Sequence, residues 1–365
     1  MNQTDQRPYD YLLTGQGLAG TIMAHLLIEK GRKIKIIDDP SLSSSSKVAG
    51  GLFNPVVFKR LVKSWMADEQ LRFAESFYHK MESLLGSTFF HKKELLKLFA
   101  EEQEIALWNK KRNEEVGKYL SEIHDSSDLS SSIEAPMGYA SVSGAGYVDV
   151  LSFMNLSRAY FKSLNLLVEE RFDHSQLKIT DGGISYHQFT APRIIFCEGH
   201  LATSNPWFKW MPFNLAKGEV LTVKIPGYTR EEVVNKGVFI LPIGDGLYKV
   251  GATFAWDKLD EVPTEAAKED LIQRLKKVLK LPFEIINHRA GIRPTVINRR
   301  PLIGVHPEYP QLVMFNGMGS KGVMIGPLFG EHFIEHLEKG IPLNPEVDIR
   351  RFWSPDSNHQ QKEFL

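Results

Sequence analysis

Residues 9–38 read YDYLLTGQGLAGTIMAHLLIEKGRKIKIID, and the hydrophobic pattern changes period twice within them. Residues 9–14 form a short apolar run of strand length. Gly15-Gln16-Gly17-Leu18-Ala19-Gly20 then opens a helical pattern, in which Ile22, Leu26 and Leu27 give an apolar face and Gly31 a stop. Residues 33–38 read as a second strand. A strand, a helix and another strand in so short a span imply parallel strands joined by a right-handed crossover.

The three glycines have separate tasks. Gly15 permits the tight turn out of the strand, Gly17 lets backbone approach a pyrophosphate, and Gly20 lets helix and strand pack closely. Phosphates then sit at the helix N-terminus, where unpaired N–H groups and the helix dipole favour negative charge; Leu18 and Ala19 supply that backbone. Asp38, ending the second strand, is placed to accept hydrogen bonds from ribose hydroxyls. A lone G-x-G-x-x-G is weak, but here the strand, the helix and the acidic residue all stand in context. The motif implies a dinucleotide without separating NAD from FAD.

Further along, Ser45, Ser46 and Lys47 close a serine-rich loop (41–46) and lead into Ala49-Gly50-Gly51, offering hydroxyls and closely approaching backbone. Residues 65–85 and roughly 94–123 are predicted helical, as is 151–164, followed by apolar strands near 165–180, 184–189 and 193–197. From 215 to 256 the texture alternates, with strands EVLTVKI, GVFILPIG and LYKVGATF, and a helix is predicted at 264–279. A second glycine-rich turn, Asn316-Gly317-Met318-Gly319-Ser320-Lys321-Gly322, precedes Val323 and a terminal helix. A second helix N-terminus suits the flavin end of a long cofactor, which points to FAD.

The predicted fold class is α/β: a Rossmann-like FAD-binding domain interleaved with an α+β substrate domain built on a mostly antiparallel sheet. The expected FAD-binding domain takes residues 8–75, 142–204 and 288–350, and the substrate domain 76–141 and 205–287.

Lys plus Arg equals Asp plus Glu, 44 against 44, so no overall field draws the chain to nucleic acid or an anionic membrane. The start, MNQTDQRP, lacks the order of a secretion signal, and no apolar run nears the ~20 residues that span a bilayer. The one cysteine, Cys197, excludes an internal disulfide and a CxxC pair. A cytoplasmic enzyme is the expectation. His332 and His336 have metal-chelating helical spacing, but no third ligand accompanies them, so no metal is expected.

GQGLAG with Asp38, SSSKVAGGL, GYVD (146–149), IIFCEG (194–199), KGE (217–219), LPIGDGLYKVGATF (241–254), GIRP (291–294) and NGMGSKGVMIGP (316–327) together resemble the D-amino-acid oxidase / glycine oxidase family of flavoproteins over nearly the whole chain. Within that family AGGLFNP, FAESFY (73–78) and GSKGVMIGPLFGE are most similar to the oxidase domain of bifunctional wobble-uridine tRNA modification enzymes. The chain has no room for a methyltransferase half and no long basic segment, so tRNA ranks behind a small-molecule amine or amino acid as substrate.

The resemblance implies hydride transfer from the carbon beside the amine to flavin, then hydrolysis of the imine. It extends the cofactor-binding set to Phe172 and Gly199. It also implies that Arg293, in GIRP, binds a substrate carboxylate, for which a planar guanidinium fork is suited. A structural ion pair is the alternative, and Arg289, Arg299 and Arg300 lie near enough to share either role. Lys249 matches a lysine that some sarcosine-oxidase-like relatives carry near the flavin, where a cation would stabilise charge during oxygen reduction. Strand side chains alternate, so Tyr248 competes with Lys249 for the inward position. Relatives that attach flavin covalently use a cysteine in the C-terminal glycine-rich region, and this chain has none there, which implies non-covalent FAD. Cys197 reads as a core thiol. Phe239 stands where relatives often place a substrate-contacting tyrosine, which weakens glycine or D-amino acids as substrates. A dehydrogenase using an acceptor other than oxygen is a further alternative.

Overall fold

The structure, a computed structural model, describes residues 9–354. The expected domain start at residue 8 and the polar residues 1–8 lie outside the described residues. Contacts group the chain into two interleaved units. One takes residues up to Lys47, Leu151–Ala216 and the chain from Arg293 onward; the other takes Val48–Val150 and Lys217–Ile292.

The first unit is built on β1 (Tyr11–Thr14), α1 (Leu18–Glu29), β2 (Ile34–Ile37), α2 (Val150–Ser163), β3 (Leu167–Val168), β4 (Arg193–Phe196), β5 (Leu302–Val305), β6 (Leu312–Asn316) and α3 (Gly322–Lys339). Its sheet runs β3-β2-β1-β4-β6-β5, parallel except for β5. β1 and β2 are buried on both faces, as continuous apolar strands in a covered parallel sheet must be. The sequence of α1, LAGTIMAHLLIE, is apolar nearly all round, and residues 20–27 are all buried. α3 lies along one side of it. On another side, His25 hydrogen-bonds Ser157 of α2 at 2.7 Å and stacks on Phe153 and Tyr160.

The second unit holds an eight-stranded sheet. Its order is Glu284–Arg293, Ala216–Lys224, Leu247–Gly251, Phe239–Gly244, Val233–Asn235, Leu95–Leu98, Tyr139–Val142, Leu120–His124. The Val233–Asn235 and Leu95–Leu98 pair is parallel, whereas the neighbouring pairs in Phe239–Gly251 and 95–142 are antiparallel. Helix Glu265–Lys276 covers one face through Leu271 and Leu275.

Several expectations are corrected. Residues 94–123 are not one helix: they form strand Leu95–Leu98, helix Glu102–Lys111, a short 3-10 turn and strand Leu120–His124. Leu95, Leu96 and Leu98 are buried in the sheet, and that pairing overrides the helical propensity of the flanking Lys and Glu residues. Part of the serine loop is helical, at Ser45–Val48. The unit bounds differ from those expected at 48–75, 142–150, 205–216 and 288–292. Leu52–Phe53 pairs with Gly146–Val148, which in turn pairs with Phe90–Lys92, so these segments stay with the second unit. Phe208 is buried in the first unit's core, and residues 288–292 continue the strand that begins at Glu284. Among the described residues no helix is long and apolar enough to cross a membrane.

Candidate functional site

The turn after β1 is built to exclude side chains. Gly15 has φ +90°, and a Cβ there would stand 2.6 Å from the Cys197 carbonyl oxygen. A Cβ on Gly20 would meet the Gly15 carbonyl oxygen at 1.8 Å. Gly17 is the N-cap of α1, with no capping side chain of its own and no acidic residue in the first turn. The Ser46 hydroxyl accepts from the Leu18 N–H at 3.1 Å, so the serine loop folds over this helix start.

α3 begins beside it. Gly322, Gly326 and Gly330 lie against Leu18, Ile22 and Leu26 of α1, in the same order along both helices. The helices are therefore parallel and their N-termini adjacent. Lys321 precedes α3 without a side-chain cap, and no acidic residue enters that first turn either. Neither helix is capped by the side chain of its own N-cap residue, and two such N-termini side by side favour an anion.

In front of them opens a cleft of ≈ 430 Å³ within the first unit. Of the expected cofactor residues, Gly15, Gly17, Leu18, Ala19, Asp38, Ser45, Ser46, Lys47, Phe172, Gly199, Gly319 and Gly322 line it. Gly20 and Val323 are buried in their helices behind the wall, and Ser320 is exposed. Burial pushes Lys321 down to about 8. Ala49 and Gly50 belong to the second unit. Lys47 braces the loop, its ammonium donating to the carbonyls of Pro40 (2.8 Å) and Leu42 (2.6 Å). Phe172 stacks on Tyr186 at 4.5 Å. Cys197 is buried, and burial raises its thiol pKa, the state of an unreactive core cysteine.

Among the lining residues outside the expected set are Asn316 and Arg158. Asn316 donates to the Gly199 carbonyl at 2.9 Å while its side-chain carbonyl accepts from the Gly317 N–H at 2.7 Å, tying the second glycine turn to the segment that follows β4. Arg158 of α2 pairs with Asp38 at 2.7 Å. Its only signal was being the first charged residue in an otherwise uncharged stretch of helix.

Tyr248 is not placed for catalysis. It sits in the second unit's core, and its hydroxyl donates to the Tyr228 carbonyl at 2.7 Å. Alternation along the strand puts the neighbouring Lys249 on the opposite face, where its ammonium donates to the Ala49 carbonyl at 2.9 Å. Burial lowers the Lys249 pKa, Asp149 opposes the shift and Arg289 adds to it. The Phe239 ring covers the same turn: a Cβ on Gly50 would lie 3.3 Å from it and one on Gly251 3.0 Å.

Arg293 ends the strand begun at Glu284, and burial pushes it down to about 10, so it stays charged at neutral pH. Among the alternatives, Arg300 pairs with Glu346 at 2.9 Å, and Arg289 and Arg299 are exposed. His336 faces the Ile341 carbonyl at 2.8 Å and His332 packs on Phe329. Among the described residues no group of three or more His, Cys, Asp or Glu could hold a metal ion.

A family model described as FAD dependent oxidoreductase (DAO) matches residues 10–336. Glycine oxidase of Bacillus subtilis is 26% identical over 205 residues, covering 52% of this chain and 54% of that protein. The tRNA 5-methylaminomethyl-2-thiouridine biosynthesis bifunctional protein MnmC of Marinobacter nauticus is 20% identical, over 89% of this chain and 55% of its own length. The matches thus span about half the length of both relatives. The crystal structure of glycine oxidase from Geobacillus kaustophilus superimposes with a TM-score of 0.77 at 20% identity, covering 94% of this chain and 98% of that one.

Proposed function

The chain belongs to the DAO family of FAD-dependent oxidoreductases, and from that premise we propose that it oxidises an amine or amino-acid-like substrate with FAD held non-covalently in the cleft. FAD, when bound, supplies the hydride acceptor for the carbon beside the substrate nitrogen, and the imine product is hydrolysed by water. The observation that carries the reading is the parallel pair of helix N-termini, neither capped by its own N-cap side chain, beside a turn that admits no Cβ at Gly15 or Gly20.

In this reading Gly15, Gly17 and the first N–H groups of α1 and α3 hold the diphosphate, with Ser46 beside them, and Asp38 accepts from the ribose. The half-buried guanidinium of Arg293 binds a substrate carboxylate through two parallel hydrogen bonds, fixing its orientation. Lys249 supplies a fixed positive charge that stabilises negative charge developing on oxygen. No acid–base triad is required, because the protein's part is to bind, orient and exclude water.

The test is anaerobic mixing of the purified chain with a panel of primary and secondary amines and amino acids. Bleaching of the flavin by at least one carboxylated amine supports the reading; a panel without effect contradicts it.

A second reading rests on the MnmC match across most of this chain: the substrate is then a modified wobble uridine in tRNA. The even charge balance supplies no general attraction for tRNA, so the small molecule is favoured. Bleaching by undermodified tRNA but by no free amine would reverse that order.

A further inference from the structure

Behind the acidic residue at the end of β2 lies a closed ring of hydrogen bonds. The Gln16 N–H donates to Asp38 Oδ1 at 2.7 Å. Arg158 Nη1 donates to Asp38 Oδ2 at 2.7 Å and to Gln16 Oε1, also at 2.7 Å. Gln16 is the residue between the first two glycines, and its amide nitrogen is committed to Thr21 and to the Met154 carbonyl. The ring therefore locks the glycine turn, the carboxylate and α2 into one geometry.

Both partners are mostly buried, with Arg158 16% and Asp38 18% exposed, so the guanidinium–carboxylate bond is only weakly screened. Each Asp38 oxygen has accepted one protein hydrogen bond and keeps a second lone pair. Those remaining lone pairs are what a ribose hydroxyl can use, and Arg158 determines where they point. Its charge also offsets the carboxylate next to a site for a diphosphate, which would otherwise feel a like charge. Glu169 holds the far side of the guanidinium at 2.9 Å and is itself paired with Lys162 at 2.8 Å, so charges alternate outward from the cleft.

We infer that Arg158 is a positioning residue that orients Asp38 toward the adenosine ribose and so sets the selectivity of the cleft for the ADP half of FAD. The inference rests on the reading of the cleft as the FAD site. A brace between α2 and β2 alone would support any ligand of the cleft equally; an orienting role acts only on ligands that carry the ribose hydroxyl.

Flavin-fluorescence quenching on the full flavin-free chain, with FAD and with FAD analogues lacking the adenosine 2′- or 3′-hydroxyl, separates the two roles. The wild-type chain is expected to bind FAD about 10- to 100-fold more tightly than one of the deoxy analogues, the worth of one charge-assisted hydrogen bond. In Arg158→Met that preference collapses: the uncompensated carboxylate weakens all three ligands alike, and FAD loses a further factor of about 10 or more that the same analogue does not. Arg158→Lys keeps the charge but not the nitrogens that tie the guanidinium to Glu169, and its preference falls between the two, which serves if the Met variant does not fold. Equal weakening of FAD and both analogues, or the full wild-type preference retained in either variant, overturns the inference alone. A wild-type chain that binds none of the three overturns the cleft reading and this inference together.

Discussion

Gly326 of α3 stands so close to Ile22 of α1 that a Cβ added to it would come within 2.7 Å of the isoleucine Cδ1. With Gly322 on Leu18 and Gly330 on Leu26, this contact repeats one turn in either direction, and it is what brings two helix N-termini to the same end of the sheet. Gly326→Leu should force the helices apart. Overpacking of this kind costs about 1–3 kcal/mol. The denaturation midpoint is expected to fall, and flavin retention through gel filtration to fall with it.

Gly20→Val acts on the turn instead of the helix pair. Its Cβ would meet the Gly15 carbonyl oxygen at 1.8 Å, and the obstacle is backbone, which cannot swing aside. The variant is expected to purify without flavin and to fail reconstitution with added FAD.

Arg293→Ala removes the fork assigned to the substrate carboxylate. Two charge-assisted bonds lost together correspond to an increase in KM of about 100-fold for carboxylated amines. Amines without a carboxylate should be affected far less, and steady-state kinetics on a matched pair of substrates makes the comparison.

Lys249→Met removes a charge but keeps most of the stem. Oxygen consumption is expected to fall by roughly 100-fold, the scale of losing one electrostatic stabiliser. Turnover with an artificial dye acceptor should remain. Equal loss with both acceptors would deny the lysine a role specific to oxygen.

His25 gives the stability a pH dependence. Burial pushes its pKa down to about 3 in the folded chain. The unfolded chain binds this proton below about pH 6.5, whereas the folded chain refuses it until near pH 3. Stability from this residue is therefore complete above pH 6.5 and falls as pH drops through that window, by about 1.4 kcal/mol per unit. Urea titrations at pH 7 and pH 5 should show a smaller difference for His25→Gln than for wild type.

The first strand, helix and strand were legible because residues 9–38 change hydrophobic period sharply and carry glycines whose spacing has a single steric use. Residues 94–123 were not, since Leu95, Leu96 and Leu98 become a strand only by pairing with chain more than 40 residues away, which local propensity does not register. Alternation showed that Tyr248 and Lys249 face opposite ways but not which faces the core; Tyr228 and Leu271, distant in sequence, decide it. Arg158 was out of reach for the same reason, lying 120 residues from Asp38. The packing of the α3 glycines was out of reach as well, because the leucines and isoleucine they receive belong to the other end of the chain.

The central claim is that the cleft beneath the paired helix N-termini is a flavin site. Acid or heat release of the small molecule from the purified chain, followed by quantitation against protein, tests it most directly. About one FAD per chain is expected, freed without proteolysis, with stoichiometric uptake of FAD when the stripped chain is reconstituted. A colourless chain that takes up no FAD under any reconstitution condition would contradict it.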